Sequence, residues 1–197
     1  MRIAQRYSFC DKNDLTLQKI QLIKKQNMRI SILIILSFFF TSAFSQLNQE
    51  IEDVKHNQII LIGEIDKTGF LLDNYKSWYT ESYSNYQLDS NVIHQLKTII
   101  NPDELEIKIF LASWCSDSRE QVPRFIKIID SLNIEISINF YALDANKSCP
   151  NINSSEFGIE RIPTFIFYKL GQEIGRIIET PKQTLEHDFL EIILNKS

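Results

Sequence analysis

Phe110-Leu-Ala-Ser-Trp-Cys-Ser-Asp-Ser118 joins two patterns of different period, and a cysteine sits at the join. Lys108 to Ala112 carry the β-branched, aromatic and apolar composition of a buried strand. From Asp117 to Leu132 the apolar residues Val122, Phe125, Ile126 and Ile129 recur at helical spacing. Cys115 therefore falls at a strand-to-helix junction. Unpaired backbone N–H groups and a partial positive charge collect at a helix N-terminus and favour a thiolate over a thiol. The position suits a nucleophile.

Working outward, Ile134 to Leu143 alternates loosely and predicts a second central strand. With the preceding strand and helix it makes a βαβ unit, whose right-handed crossover puts both strand C-termini on one edge. Ligands of open α/β sheets bind outside that edge. Asp144 to Phe157 is a polar loop or short helix leaving the same edge, and it carries Cys149-Pro150. Phe165 to Tyr168 predicts a strand, Leu170-Gly-Gln a hairpin turn, and Glu173 to Glu179 the returning strand. Pro181 then opens a closing helix through Leu194, with Leu185, Phe189, Ile192 and Ile193 on its inner face.

Trp114-Cys115-Ser116-Asp117-Ser118, Pro123 eight residues after the cysteine, and Ile162-Pro163-Thr164 together resemble the thioredoxin superfamily. They are most similar to bacterial envelope thioredoxin-like proteins with the motif W-C-x-D-[CS]-R followed by a proline. The resemblance covers about Val92 to Ile193, roughly half the chain. It implies an α/β thioredoxin-like fold: a central mixed β-sheet flanked by helices, here with an N-terminal extension. It also implies thiol–disulfide exchange at Cys115, a kinking Pro123, and a cis-proline at Pro163 facing the cysteine. Ile162 would then offer main-chain N–H and C=O to an extended substrate segment, as in strand addition.

Two departures from that pattern agree with each other. Thioredoxins carry C-x-x-C, whereas the second cysteine position here is Ser118, whose hydroxyl can donate to a Cys115 thiolate but cannot resolve a mixed disulfide. Many relatives hold a buried aspartate six residues before the first cysteine to serve the resolving thiol, and that position here is Ile109. Trp114 is expected to shield the site and pack on Asp117 or on substrate. Asp117 complements the helix dipole yet opposes a neighbouring thiolate, with Arg119 placed to offset it. Three readings follow: monothiol exchange through Cys115, a redox-silent binding or scaffold module, or a protein in which Cys149 is the resolving thiol. Partners under the first are protein or small-molecule thiols and disulfides, with no cofactor.

The start of the chain reads differently. Met28-Arg29, an apolar run from Ile30 to Phe40, and small residues through Ser45 have the layout of a secretory signal peptide. The run is about 15 residues, short of the roughly 20 that span a bilayer, so membrane attachment would come only through an uncleaved anchor. Residues 1–27 are polar and aperiodic, and translation is expected to begin at Met28. The protein is thus expected to be exported, to the periplasm or cell envelope. Loss of residues 1–45 takes seven of 21 basic residues and two of 25 acidic ones, leaving a net charge of −9. Such a surface repels nucleic acid. Cys10 leaves with the leader, and Cys115 and Cys149 remain.

Residues 46–88 form the expected extension and 89–197 the thioredoxin-like domain. Gln46 to Asn57 reads as a short helix or linker, Ile59 to Ile62 as a strand ending before Gly63, and Lys67-Thr-Gly69 as a turn. Tyr75, Trp78, Tyr79 and Tyr86 share one helical face, with Tyr83 beside it, and either dock on the domain or form a substrate platform near Cys115. Asp89 and Ser90 cap a helix from Asn91 to Ile100, which Asn101-Pro102 ends. His56, His94 and His187 are isolated from other ligand residues, so no metal is expected.

Overall fold

The computed structural model describes residues 24–26, 47–55 and 57–195. Residues 28–45, expected to be a signal peptide, residues 1–27 apart from 24–26, Cys10 and His56 lie outside the described residues.

Six strands form one mixed sheet: β1 (Gln49–Asp53), β2 (Gln58–Ile65), β3 (Leu105–Leu111), β4 (Ser137–Ala142), β5 (Thr164–Lys169) and β6 (Gln172–Ile178), in spatial order β1-β2-β4-β3-β5-β6. β3 is central, parallel to β4 and antiparallel to β5. Its alternation decides the layering. Ile107, Ile109 and Leu111 enter the main core, while Phe110 and Ala112 enter a smaller one on the other face.

Four helices complete the main core: α1 (Lys76–Asn85), α2 (Ser90–Ile99), α3 (Ser116–Leu132) and α4 (Leu185–Leu194). Phe125 of α3 lies 4.8 Å from Phe165 and 5.7 Å from Phe189, ring centre to ring centre. Each such ring or branched aliphatic side chain, fully buried, contributes roughly 1.5–3 kcal/mol. The opposite face is covered by the loop through residues 143–162 and its 3₁₀ turn Ser154–Phe157, which place Leu143, Cys149, Ile159 and Ile162 against Phe110 and Ile166.

The predicted βαβ unit and hairpin are present. Leu170 and Gly171 have φ of 52° and 79°, the left-handed pair that a tight two-residue hairpin turn requires. Asp89 caps α2 by accepting the N–H groups of Asn91 and Val92 at 2.9 and 3.2 Å.

Three boundaries differ from expectation. Residues 49–53 are a strand rather than a helix or linker. Its sequence, Gln-Glu-Ile-Glu-Asp, has no alternating apolar face because it is an exposed edge, held by pairing with β2 and by Asn48, whose side chain bonds both the amide and the carboxylate of Asp66. β2 runs on through Gly63, which adopts its φ of +86° without a Cβ clash and stays paired with Ala142 of β4. α4 begins at Leu185 instead of Pro181. Thr184 accepts the His187 N–H as its cap, and the Asp188 carboxylate accepts the N–H groups of Lys182 and Gln183, holding that segment outside the helix. β1, β2 and α1, all before residue 89, therefore belong to the common sheet and core.

Candidate active site

Cys115 is the N-cap residue of α3. Its N–H donates to the Ala112 carbonyl at 3.0 Å, and its own carbonyl accepts the Arg119 N–H at 3.0 Å. The half-buried thiol donates to the Ile162 carbonyl oxygen at 3.6 Å. The Ile162–Pro163 peptide bond is cis. Glu179 N–H donates to the Pro163 carbonyl at 2.7 Å and Thr164 Oγ1 to the Arg161 carbonyl at 2.6 Å, so bonds on both sides fix this bend. A sulfur at the mouth of the sheet, a helix N-terminus behind it and a main-chain carbonyl opposite are the parts that disulfide exchange needs.

The loop carrying the sulfur is pinned on every side. Ser113, almost fully buried, accepts the Leu61 N–H at 3.0 Å. Trp114 Nε1 donates to the Leu143 carbonyl at 3.1 Å, tying the cysteine segment to the end of β4. Arg119 donates from Nε to the Ser113 carbonyl at 2.6 Å and from Nη2 to Gln58 Oε1 at 3.2 Å. Its guanidinium lies 6.0 Å from the Trp78 ring centre. Arg119 thus serves the loop and the aromatic face. Asp117 is half-buried in the first turn of α3, where a carboxylate complements the helix dipole.

Ser118 occupies the second cysteine position and is 1% exposed. Its Oγ accepts the Ala112 N–H at 3.1 Å, closing the turn from strand to helix. Ile109, in the place of the family's buried aspartate, is a fully buried core side chain.

Cys115 and Cys149 are both free thiols and pack in the same small apolar cluster. They are directed to different carbonyls, for Cys149 Sγ donates to Pro150 at 3.7 Å. Burial and then the nearby Glu64 carboxylate push the Cys149 thiol up to about 11. A thiol so protonated is a packing group in this state.

The aromatic face docks on the rest of the protein. Tyr75 donates to Glu50 at 2.8 Å, Tyr83 to Asp130 at 3.0 Å, and Tyr79 stacks on Phe70 at 5.4 Å. Tyr86 donates to the carboxylate of Glu186, itself 1% exposed. These four dock α1. Trp78 packs edge-on to Phe70 and Tyr75 at 6.1 and 6.3 Å and, with Tyr86, lines a cleft that also reaches Trp114 and Ser116, the neighbours of Cys115. Arg124 lines it too. No sequence pattern marks Arg124 beyond its i,i+4 spacing from Glu120, with which it pairs at 2.6 Å.

A family model described as thioredoxin matches residues 70–189. Thioredoxin H2 of Arabidopsis thaliana is 32% identical over 105 residues, covering 53% of this chain and 71% of that protein. Thioredoxin of Homo sapiens is 26% identical over 107 residues, covering 54% and 97%. Among solved structures, a protein of unknown function from Pseudomonas aeruginosa superposes with a TM-score of 0.52 at 16% identity, over 69% of this chain and 95% of its own. That likeness carries the fold alone.

Proposed function

Because the chain belongs to the thioredoxin family, whose shared chemistry is thiol–disulfide redox exchange, we propose that Cys115 is a single-thiol nucleophile acting on protein or small-molecule disulfides. The Cys115 thiolate attacks one sulfur of a substrate disulfide. A Cys115–substrate S–S bond forms as the old one breaks, and the departing sulfur leaves with the electron pair and takes a proton from water. With Ser118 at the second position, an external thiol must attack the mixed disulfide. Attack at the Cys115 sulfur releases the substrate as a thiol, and a second external thiol then frees Cys115, so two external thiols are oxidised for each disulfide reduced. Return of a substrate's own second thiol gives isomerisation with no net redox change.

The observation that carries this reading is the half-buried Cys115 sulfur 3.6 Å from the Ile162 carbonyl, at the N-terminus of a seventeen-residue helix. On this reading Ile162 and Pro163 receive an extended substrate segment, Trp114 and Asp117 border it, and Ser118 holds the turn that aims the sulfur. The signal-like pattern of Met28 to Ser45 supports work in the cell envelope, and the W-C-x-D-S motif supports kinship with bacterial envelope forms.

Non-reducing capture from cells tests it. Wild-type protein should form reducible adducts that Cys115→Ala abolishes. Complexes that persist in Cys115→Ala would make the protein a redox-silent scaffold. An intact mass showing Cys115 joined to Cys149 during turnover would replace the external thiol by Cys149.

A further inference from the structure

The cleft next to Cys115 has a volume of about 750 Å³ and lies between the C-terminal half of α1 and the first turns of α3. Trp114 and Ser116 border it, and they are the residues on either side of the cysteine. Consecutive Cα atoms are about 3.8 Å apart, so on the proposed exchange the residues flanking a substrate cysteine are the ones carried nearest to Trp114 and Ser116. The volume lies within the roughly 300–1,000 Å³ range of small-ligand pockets.

Its lining carries two guanidiniums, Arg119 and Arg124, and two carboxylates, Glu81 and Glu120, but its buried unpartnered polar atoms are of one kind. Among buried side-chain polar atoms of the described residues, Trp78 Nε1 and Arg124 Nε have no hydrogen-bond partner, and both residues line this cleft. Both are donors. A buried donor without an acceptor costs roughly 1–3 kcal/mol, so most such groups in folded proteins are satisfied. Arg119 adds a second guanidinium. The acids nearby are Glu120, already paired with Arg124 Nη1, Glu81, which is exposed on the rim, and Asp117 beside Ser116. Buried donors with no buried unpaired acceptor call for a ligand that accepts, and a carboxylate accepts most strongly from a guanidinium.

We propose that this cleft holds a carboxylate carried beside the reacting cysteine of the substrate, so that the preferred substrates are cysteinyl peptides with an acidic neighbour to the disulfide. The inference rests on the exchange reaction assigned to Cys115. It adds a specificity site on α1 and α3, with Arg124 and Trp78 as the recognising groups and Arg119 as supporting charge. The net charge of the whole chain, −4, opposes acidic substrates at long range. That opposition is screened beyond about 8 Å at physiological ionic strength, whereas a contact inside the cleft is not.

The test uses three short peptides identical except for Glu, Gln or Lys beside one cysteine, each as its mixed disulfide with 2-nitro-5-thiobenzoate. Cys115 attacks the peptide sulfur, a Cys115–peptide S–S bond forms, and the coloured thiolate leaves with the electron pair. Rates with the full chain are divided by rates with a small free thiol, which removes the intrinsic reactivity of each peptide. The Glu peptide should react about tenfold faster than the Lys peptide, with Gln between them; tenfold corresponds to about 1.4 kcal/mol. Arg124→Gln should bring the ratio near one. Trp78→Phe, which keeps an aromatic ring and removes the N–H, should narrow it. Three peptides reacting alike, or Lys fastest, would overturn the cleft assignment and leave the exchange reaction standing. No reaction with any peptide, in protein whose Cys115 still alkylates, would remove the exchange reaction itself.

Discussion

Ser118 Oγ accepts the Ala112 N–H at 3.1 Å, so the residue three places after Cys115 closes the turn from β3 to α3. In a C-x-x-C protein a sulfur would stand there. Sulfur is a weak acceptor, and the oxygen gives this turn a bond that a thiol would make poorly. Ser118→Ala should therefore lower stability by about 1–3 kcal/mol, the cost of leaving a buried N–H unpaired. Cys115 should still be alkylated. Denaturant unfolding and an alkylation assay on one preparation check both halves, and loss of alkylation with intact folding would assign the hydroxyl to the sulfur instead.

Cys149 should reveal itself by pH. Its thiol is held up to about 11 against an ordinary 9, by burial first and by Glu64 second. The folded state then keeps a proton that the unfolded chain releases. This contribution is fully present below about pH 9 and is lost as pH rises through about 11. Urea midpoints should fall across that window, and Cys149→Ala should flatten the fall. At pH 8, native protein should be labelled at Cys115 and not at Cys149, with the second thiol reacting only after unfolding.

Tyr86 binds three elements together through Glu186. That nearly buried carboxylate accepts from the Tyr86 hydroxyl and from the Asp89 N–H at 3.0 Å, joining the end of α1, the start of α2 and the first turn of α4. Tyr86→Phe removes one donor from a buried anion and should cost about 1.5–3 kcal/mol. Chemical denaturation checks this, and a change below about 0.5 kcal/mol, the range of surface substitutions, would show that the hydroxyl is dispensable.

Gly175 lies under α4. A Cβ there would come within 2.9 Å of both Cγ1 and Cγ2 of Ile192, atoms of a β-branched side chain with little rotamer freedom. Gly175→Ala should destabilise by about 1–3 kcal/mol, as overpacking does. Gly175→Ala combined with Ile192→Ala should recover part of that loss, which a double-mutant cycle would measure.

The sequence revealed those elements whose pattern reflects burial. β3 and α3 were legible because Ile107, Ile109, Leu111, Val122, Phe125 and Ile129 all enter one core, and the cysteine between them followed. β1 was not legible, because an exposed edge strand stabilised by pairing needs no apolar alternation. The start of α4 was misplaced because Pro181 imitates a first-turn proline while Asp188 draws the preceding amides out of the helix. At the site, spacing grouped Trp78 with Tyr75, Tyr79 and Tyr86 but could not show that Trp78 and Tyr86 also border the cleft. Arg124 carried no signal, because its part depends on α1 crossing α3.

The chain has two tryptophans, and both border the cleft beside Cys115. An indole responds to changes within a few ångströms, so the protein contains its own optical probe. Oxidation of the sulfur or entry of a ligand should alter ultraviolet emission without any attached dye, and replacing Trp78 or Trp114 singly would tell which of the two events each indole reports.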